Sequence, residues 1–251
     1  MKLTAENYYS VEAQMHYMGY SQFKDFSECE YKAMAIARGD YKKKQTDAML
    51  LGSYVDAHFE GNLRLFKAQN PGYKRIKAKA DQIISCVEDD EFMMKYMSGQ
   101  KQVIMTGIIE GIPIKIKIDS YHPDIAIVDF KTTKDFASCF VKEKGVVPWI
   151  EAWMYDMQGA VYQEIVYQNT GKRLPYYIVA VTKEELPDKD IILLPQSLLD
   201  TNLTIFKADA PRYQLIKEGK LEPIRCGHCN PCKYTKKLDR ITKYEELILS
   251  A

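Results

Sequence analysis

The chain has 251 residues, of which 46% are hydrophobic and 27% are charged, and its formal net charge is +1. This composition is typical of a water-soluble globular protein with a sizeable core, and it excludes a protein that binds nucleic acid through a strongly basic overall charge. The sequence has no apolar run of the roughly 18 residues that span a membrane and no signal peptide, so we expect a cytoplasmic location.

Hydrophobic periodicity and capping residues predict helices and strands that alternate along the chain. The predicted helices cover 21–38, with Ser21 as N-cap, then 46–68, 77–97, 149–169, 196–219 and a short C-terminal tail. The predicted strands cover 101–109, 112–119, 125–131, 176–182 and 190–194. This order predicts an α/β fold in which helices flank a mixed central sheet. We expect one domain over 1–251, with its core at about 46–195 and a cysteine-bearing segment at 226–232 that packs on the first helix.

Three charged side chains are expected at the ends of two neighbouring strands. Asp119 ends one strand, a turn at 122–124 follows, and Asp129 and Lys131 lie on the next strand. Side chains at i and i+2 share a strand face, so Asp129 and Lys131 point the same way, and strand pairing can bring Asp119 beside them. Two carboxylates and an ammonium at one place indicate a Mg²⁺ or Mn²⁺ site for phosphodiester hydrolysis, in which the lysine orients or activates water. Because Asp-x-Lys also occurs by chance, this interpretation needs matching residues elsewhere.

The helix predicted at 46–68 carries a second candidate ligand. Gly52 and Asp56 are four residues apart and lie on one stripe of the helix. Gly52 would allow close approach to a neighbouring element, and Asp56 would project at that contact. His58 lies about 200° further round the helix, so it cannot face the same metal, and we favour Asp56. The alternative is that Gly52 serves packing alone and Asp56 is solvated.

The helix predicted at 149–169 places Gln158 and Tyr162 side by side, with Trp149 and Trp153 on its core stripe. An amide and a phenol together can orient a metal-bound water or hold a DNA phosphate. The alternative is an ordinary polar edge of the helix. Two basic runs, at 42–44 and 74–79, are the candidates for a nucleic-acid groove, although such runs are commonly solvated surface.

Cysteines near the C-terminus have the spacing of metal ligands. Cys226, Cys229 and Cys232 place three thiols within seven residues, and in an intracellular protein we expect metal binding rather than disulfides. The fourth ligand is either His228, whose ring would have to fold back, or Cys29, which needs only a tertiary contact. Four cysteinates suit a 4Fe-4S cluster or zinc, and the alternative is uncoordinated thiols.

Together these motifs resemble the PD-(D/E)XK nuclease superfamily, in particular the RecB-like and RecE-like exonucleases of phages and prophages, over about 21–237. The resemblance implies a restriction-endonuclease-like core and a metal-dependent DNA exonuclease that acts at linear duplex ends in phage or prophage recombination. It also implies a single-strand annealing protein as a partner and assembly of the chain into a homo-oligomer. The implied catalytic residues are Asp119, Asp129, Lys131, Gln158 and Tyr162, and the implied metal ligands are Asp56, Asp119, Asp129 and the carbonyl of Phe130. Some members also hold an iron–sulfur cluster on four cysteines, which here correspond to Cys29, Cys226, Cys229 and Cys232.

Several features depart from that pattern. Asp56 stands where the family often has His, which hardens the ligand set and favours Mg²⁺ or Mn²⁺. Ile118 rather than Pro precedes Asp119, and the tight cysteine spacing leaves zinc open. One alternative is a non-catalytic nucleic-acid-binding protein that keeps the fold, but a phosphate groove gains nothing from three carboxylates. A cluster-containing redox or radical enzyme is a further alternative, but the sequence has no glycine-rich phosphate loop.

Overall fold

A mixed β-sheet lies at the centre of the molecule. The computed structural model describes residues 1–142, 144–238 and 240–244. The strands within these residues are β1 (Met18–Gly19), β2 (Gln100–Ile109), β3 (Ile112–His122), β4 (Ala126–Thr133), β5 (Cys139–Val141), β6 (Gly145–Val147), β7 (Tyr176–Thr182) and β8 (Lys189–Leu193). The sheet has the order β1, β3, β4, β7, β8, and β2 pairs with the other edge of β3. Strands β5 and β6 form a separate hairpin.

Helices cover both faces of this sheet. The helices are α1 (Val11–His16), α2 (Tyr20–Glu28), α3 (Glu30–Ala37), α4 (Asp47–Phe59), α5 (Leu63–Gln69), α6 (Lys77–Glu88), α7 (Glu91–Met97), α8 (Trp149–Ala152), α9 (Tyr155–Thr170), α10 (Gln196–Lys217) and α11 (Asn230–Tyr234), with a 3₁₀ turn at Pro71–Arg75. One core cluster joins the isoleucines of β3 to α2, α9 and α10, and the other joins β4 and β7 to α4, α6 and α7. The predicted α/β fold with a mixed sheet between helices is therefore confirmed.

The strands β3 and β4 separate next to the predicted carboxylates. Antiparallel pairing between them is confined to the pairs from Ser120–Val128 to His122–Ala126. Residues of β3 before Ser120 are not paired with residues of β4 after Val128. In that region β4 continues in parallel pairing with β7 up to Thr133. The side chain of Asp119 enters the resulting gap, because its Oδ2 accepts a 3.1 Å hydrogen bond from the Phe130 backbone N–H. A carboxylate thus replaces a backbone carbonyl as the partner of β4 at this point.

Four predicted helices are interrupted, each at an identifiable residue. The first breaks at Cys29, which has an extended backbone and caps α3, and it begins after Gly19 rather than with Ser21 as N-cap. The second breaks at Gly61, whose φ of 76° ends α4. The third breaks at Asp90, which caps α7 by accepting a hydrogen bond from the Met93 N–H. The fourth breaks at Met154, where φ is 60°.

Other elements were not predicted from the sequence. The short helix α1, strand β1 and the β5–β6 hairpin give little periodic signal because each is six residues or shorter. The C-terminal helical tail predicted after the cysteine segment extends into 245–251, and these residues lie outside the described ones. Among the described helices, none is both long enough and apolar enough to cross a membrane.

Candidate active site and cysteine cluster

Asp129 is the most deeply buried acidic group of the candidate site. It lies in β4 with only 1% of its surface exposed. Its Oδ1 accepts a 2.7 Å hydrogen bond from Gln158 Nε2 on α9, and its Oδ2 contacts the Lys131 ammonium. Burial raises the pKa of Asp129, and Lys131 opposes this shift. A buried carboxylate that already holds one cation, the Lys131 ammonium, fits the requirements of a divalent-cation ligand.

Asp119 is held on both of its oxygens. In addition to the Phe130 contact, Oδ1 accepts a 3.1 Å hydrogen bond from Gln102 Nε2. Gln102 lies opposite Asp119 on β2 and has a left-handed backbone, with φ of 54°. The other amide atom, Gln102 Oε1, is buried without a hydrogen-bond partner in the described chain. Strain and an unsatisfied amide at this position are typical of a functional site.

Sequence reasoning missed Gln102, although a signal for it was present. Residues Glu110 and Gly111 both have positive φ, of 50° and 74°, and they form a two-residue turn between β2 and β3. Such a turn fixes the strand register, and Gln102 then falls opposite Asp119. The turn residues alone could therefore have predicted this contact.

Helix α4 brings Asp56 to the same cavity by close packing. A Cβ atom on Gly52 would lie 2.9 Å from Thr132 Oγ1 of β4, so a larger residue would push the helix away. Burial, followed by repulsion from Asp119, raises the pKa of Asp56 to about 8. His58 faces elsewhere, because its Nε2 lies 2.7 Å from Glu88 Oε1 on α6. The geometry thus favours Asp56 over His58, as the stripe argument predicts.

These groups line one cavity of about 280 Å³, which we call the active-site cavity. Its lining includes Asp56, Glu60, Asp119, Asp129, Phe130, Lys131, Gln158 and Tyr162. The aspartates share this cavity without forming a tight cluster. Among the described residues, the set of three or more Cys, His, Asp or Glu ligands whose atoms all lie within 4.8 Å of one another is the cysteine set described below.

The Lys131 side chain is held in its protonated, positively charged form. Burial opposes that charge, but the carboxylates of Asp129 and Asp119 outweigh burial and hold the pKa of Lys131 well above its ordinary value. Its ammonium also lies 5.0 Å from the ring centre of Tyr155. A lysine held in the protonated form can donate hydrogen bonds and stabilise negative charge, but it cannot accept a proton from water.

Gln158 and Tyr162 both bond to the protein itself. Gln158 orients Asp129, while the Tyr162 hydroxyl donates a 3.2 Å hydrogen bond to the Lys117 carbonyl of β3. Burial raises the pKa of Tyr162 well above its ordinary value, so the phenol stays neutral. In this arrangement the two side chains fix Asp129 and β3 rather than a substrate phosphate.

Two lysines line the active-site cavity on the same face of β3 as Asp119. Lys115, Lys117 and Asp119 alternate along β3 and share one face, and this spacing is visible in the sequence. Lys115 is buried and donates a 2.5 Å hydrogen bond to the Tyr8 carbonyl, and burial lowers its pKa to about 8. Lys117 lies over the rings of Tyr8 and Tyr9. The N-terminal segment therefore forms part of the cavity wall.

A second and larger cavity, of about 890 Å³, adjoins the active-site cavity at Asp56. Four cationic residues line it together with Asp47 and Asp56, and Asp47 forms an ion pair with one of the four. We call this cavity the basic groove after its cationic residues: Arg75, Lys79, Lys134 and Lys183. Two of them belong to the basic run predicted at 74–79. In the other run, Lys43 forms an ion pair with Asp25. Trp153 also lines the groove and is 48% exposed, so its assignment to the core stripe was wrong.

The four predicted cysteines converge on one point. The Sγ of Cys29 lies 3.6 Å from that of Cys232 and 3.7 Å from that of Cys229, and the sulfurs of Cys226 and Cys232 are 4.0 Å apart. All four sulfurs lie within 4.8 Å of one another. The ring of His228 instead places Nδ1 2.8 Å from the Cys226 carbonyl. The contacts among the four cysteines join the break between α2 and α3 to the segment at 226–232.

The sulfur spacing tests which metal group fits this centre. Zn–S bonds of about 2.3 Å in a regular tetrahedron place the sulfurs about 3.8 Å apart. Three of the six sulfur–sulfur distances, 3.6, 3.7 and 4.0 Å, are close to that value, and the others do not exceed 4.8 Å. In a 4Fe-4S cluster each cysteine binds a different iron atom, which requires wider separation of the sulfurs. The cysteines therefore fit a single tetrahedral ion and do not fit a four-iron cluster in this arrangement.

Comparison with known proteins agrees with the fold and the motifs. Residues 19–235 match the family described as a PDDEXK-like domain of unknown function (DUF3799), so the chain belongs to this family. It is similar to a protein from Eubacterium rectale described as a "Putative exonuclease", with 42% identity, 98% coverage of each chain and a TM-score of 0.95. A second solved structure, that of SSO0001, shares 14% identity over 78% of this chain and 97% of its own, with a TM-score of 0.29. No curated protein matches the sequence.

Proposed function

We propose that this protein is a divalent-metal-dependent exonuclease that hydrolyses phosphodiester bonds at the ends of linear DNA. The observation that carries the proposal is the buried Asp129, fixed by Gln158 on one oxygen and facing Lys131 with the other. Membership of the PDDEXK-like family and the similarity to the Eubacterium rectale protein support nuclease chemistry. The basic groove beside Asp56 supports a nucleic-acid substrate.

The chain's own residues divide the catalytic work. Asp56, Asp119, Asp129 and the Phe130 carbonyl would hold Mg²⁺ or Mn²⁺, which supplies an activated water and neutralises charge on the phosphate. Gln158 and Gln102 keep Asp129 and Asp119 oriented. Lys131, as a permanent cation, stabilises the negative charge that develops on the phosphoryl oxygens.

The resemblance to phage-type exonucleases extends this proposal. It favours a role in phage or prophage recombination, in which the protein acts together with a single-strand annealing protein. It also favours a homo-oligomer in which each chain forms one domain over 1–251. These parts of the proposal depend on family likeness, whereas the catalytic part depends on the residues described above.

We also propose that the cysteine centre holds one zinc ion. The match between the sulfur contacts and a zinc tetrahedron supports this assignment over an iron–sulfur cluster. The centre joins Cys29 to three cysteines near the other end of the chain, two of them 200 and 203 positions away, and holds α11 against α3. Its role in this proposal is structural, because four protein ligands leave no open position for substrate.

The nuclease proposal is tested by digestion of linear and circular DNA of the same sequence with Mg²⁺. The wild-type protein should shorten linear DNA and leave closed circles intact. Lys131→Ala should lose cleavage by at least about 100-fold, because an electrostatic contact to the transition state is removed. Lys172→Ala, which breaks an exposed ion pair with Asp124, is the matched control and should digest normally. DNA binding by the wild-type protein without any cleavage would instead support the non-catalytic alternative.

A further inference from the structure

Trp153 exposes an indole ring in the wall of the basic groove. It lies at the break between α8 and α9, and 48% of its surface is exposed. The other tryptophan of the chain, Trp149, lies four positions earlier and is only 6% exposed, because it packs in the main core. Trp153 lines the groove instead. A large ring that is half open to a cavity offers a flat apolar surface to a ligand.

The backbone around Trp153 is held in an unfavourable conformation. The next residue, Met154, has a left-handed backbone with φ of 60°. The Trp153 carbonyl accepts hydrogen bonds of 3.1 Å from the Tyr20 hydroxyl and 2.8 Å from the Lys24 ammonium. The same ammonium lies 5.4 Å from the centre of the Trp153 ring. Strain of this kind persists only where the surrounding structure enforces it, and it is concentrated at ligand-binding and active sites.

Two neighbours connect Trp153 to the active-site cavity. Tyr155, two positions further on, also lines the basic groove, and its ring centre lies 5.0 Å from the Lys131 ammonium. Tyr20, which bonds to the Trp153 carbonyl, lines the active-site cavity. The two cavities meet at Asp56. The exposed ring therefore lies in the part of the groove that is coupled to the candidate catalytic lysine.

The lining of the basic groove combines apolar and cationic side chains. Besides Trp153 it includes Met49, which is 47% exposed, and the buried Leu51 and Ile76. Its cationic residues outnumber its acidic ones by four to two. A single DNA strand has the complementary surfaces, because its phosphates are anionic and its unpaired bases stack on aromatic rings. Bases inside a duplex are already stacked on one another and are not available to such a ring.

We propose that Trp153 forms a base-binding subsite in the basic groove and stacks on an unpaired base of the DNA strand that reaches the active-site cavity. The inference rests on the proposed nuclease function and adds to it the form of the substrate, which is a single strand in the groove. Trp153 determines specificity in this proposal and takes no part in bond cleavage. The hydrogen bonds to its carbonyl hold the ring at the groove wall before DNA binds.

Binding of two oligonucleotides of equal length tests this subsite without any cleavage. One is oligothymidylate, and the other has the same phosphates on abasic sugars. Both are titrated with Ca²⁺ in place of Mg²⁺. The variants are Trp153→Ala and Trp153→Phe, the second of which keeps an aromatic ring. Phe92→Ala is the matched control, since Phe92 on α7 is 61% exposed and lines neither cavity.

The wild-type protein should bind oligothymidylate about tenfold more tightly than the abasic strand. Trp153→Ala should lose this preference by binding oligothymidylate about tenfold more weakly, with unchanged affinity for the abasic strand. Trp153→Phe should keep most of the preference, and Phe92→Ala should match the wild-type protein. In Trp149→Phe, where Trp153 is the only tryptophan, oligothymidylate should quench the fluorescence and the abasic strand should not.

Equal affinity of the wild-type protein for the two strands, or no binding of either, overturns the proposal. An unchanged preference in Trp153→Ala also overturns it, and this is the outcome expected if the exposed ring binds a protein. If Trp153→Ala does not fold, the fluorescence of Trp149→Phe decides, and absence of quenching by oligothymidylate counts against the subsite. If the wild-type protein digests no DNA, the nuclease proposal fails, while the binding measurements still decide the role of Trp153.

Discussion

The Gln158 amide donates a 2.7 Å hydrogen bond to Oδ1 of Asp129 across the interface between α9 and β4. Both side chains are buried, so the position of α9 determines how the Asp129 carboxylate is oriented. This single contact links the Gln158–Tyr162 pair predicted on a helix to the Asp129–Lys131 pair predicted on a strand, although Asp129 and Gln158 are 29 positions apart. It also gives a direct way to alter the electrostatics of the site.

Replacing Gln158 with Glu should move the pH dependence of cleavage upwards. A second carboxylate beside Asp129 raises the pKa of Asp129 further, and Asp129 must be ionised to bind a cation. We expect the acidic limb of the pH–rate profile to shift by about one pH unit or more. Gln163→Glu, at another buried glutamine of α9, is the control and should leave the profile in place. An unshifted profile for Gln158→Glu would remove Gln158 from the site.

Asp56 should make the metal-free protein less stable as the pH rises. Its pKa rises from 3.8 to about 8 on folding, mainly through burial. The folded protein then binds more protons than the unfolded chain between these two values, so stability is highest below the lower pKa and is lost as the pH rises towards 8. In EDTA at pH 8, Asp56→Asn should raise the melting temperature by at least about 3 °C. The gain should vanish at pH 4, and a gain independent of pH would contradict this assignment.

Gln102→Gly should weaken the binding of a divalent ion without lowering the stability of the fold. Glycine accepts the left-handed backbone of this position, so the melting temperature should hold, while Asp119 loses its amide donor. We expect the affinity for Mn²⁺ to fall about tenfold by calorimetric titration. Gln100→Gly on the same strand should show the reverse, with lower stability and normal affinity. Normal Mn²⁺ affinity in Gln102→Gly would show that the contact with Asp119 is incidental.

Metal analysis should find one zinc per chain and no acid-labile sulfide. Cys229→Ser should lose that zinc and lower the melting temperature by about 5–10 °C, because binding energy at a structural zinc site is folding energy. Cys86→Ser, at a half-buried thiol outside the cluster, should keep the zinc. Iron in the purified protein, with or without sulfide, would refute the zinc assignment.

Local patterns predicted the sheet and its charged residues well. The alternation of Ile114, Ile116 and Ile118 marks the buried face of β3, and the i, i+2 relation placed Asp129 with Lys131. The interruption at Cys29 was not predictable, because helical periodicity continues through it and the break serves a contact with residues near the other end of the chain. For the same reason, the sequence left Cys29 and His228 as alternatives for the fourth metal ligand. Tertiary contacts, rather than propensity, decide both cases.

The contact between Cys29 and Cys229 spans 200 residues, and this distance has a consequence for biosynthesis. The ribosome delivers the N-terminal part first, so Cys29 emerges long before its partners. The last strand of the sheet ends at Leu193, ahead of all three downstream cysteines. A nascent chain can therefore assemble its sheet while the sulfur centre is still incomplete. A product of premature termination before Cys226 lacks three of the four thiols and cannot form the proposed zinc centre.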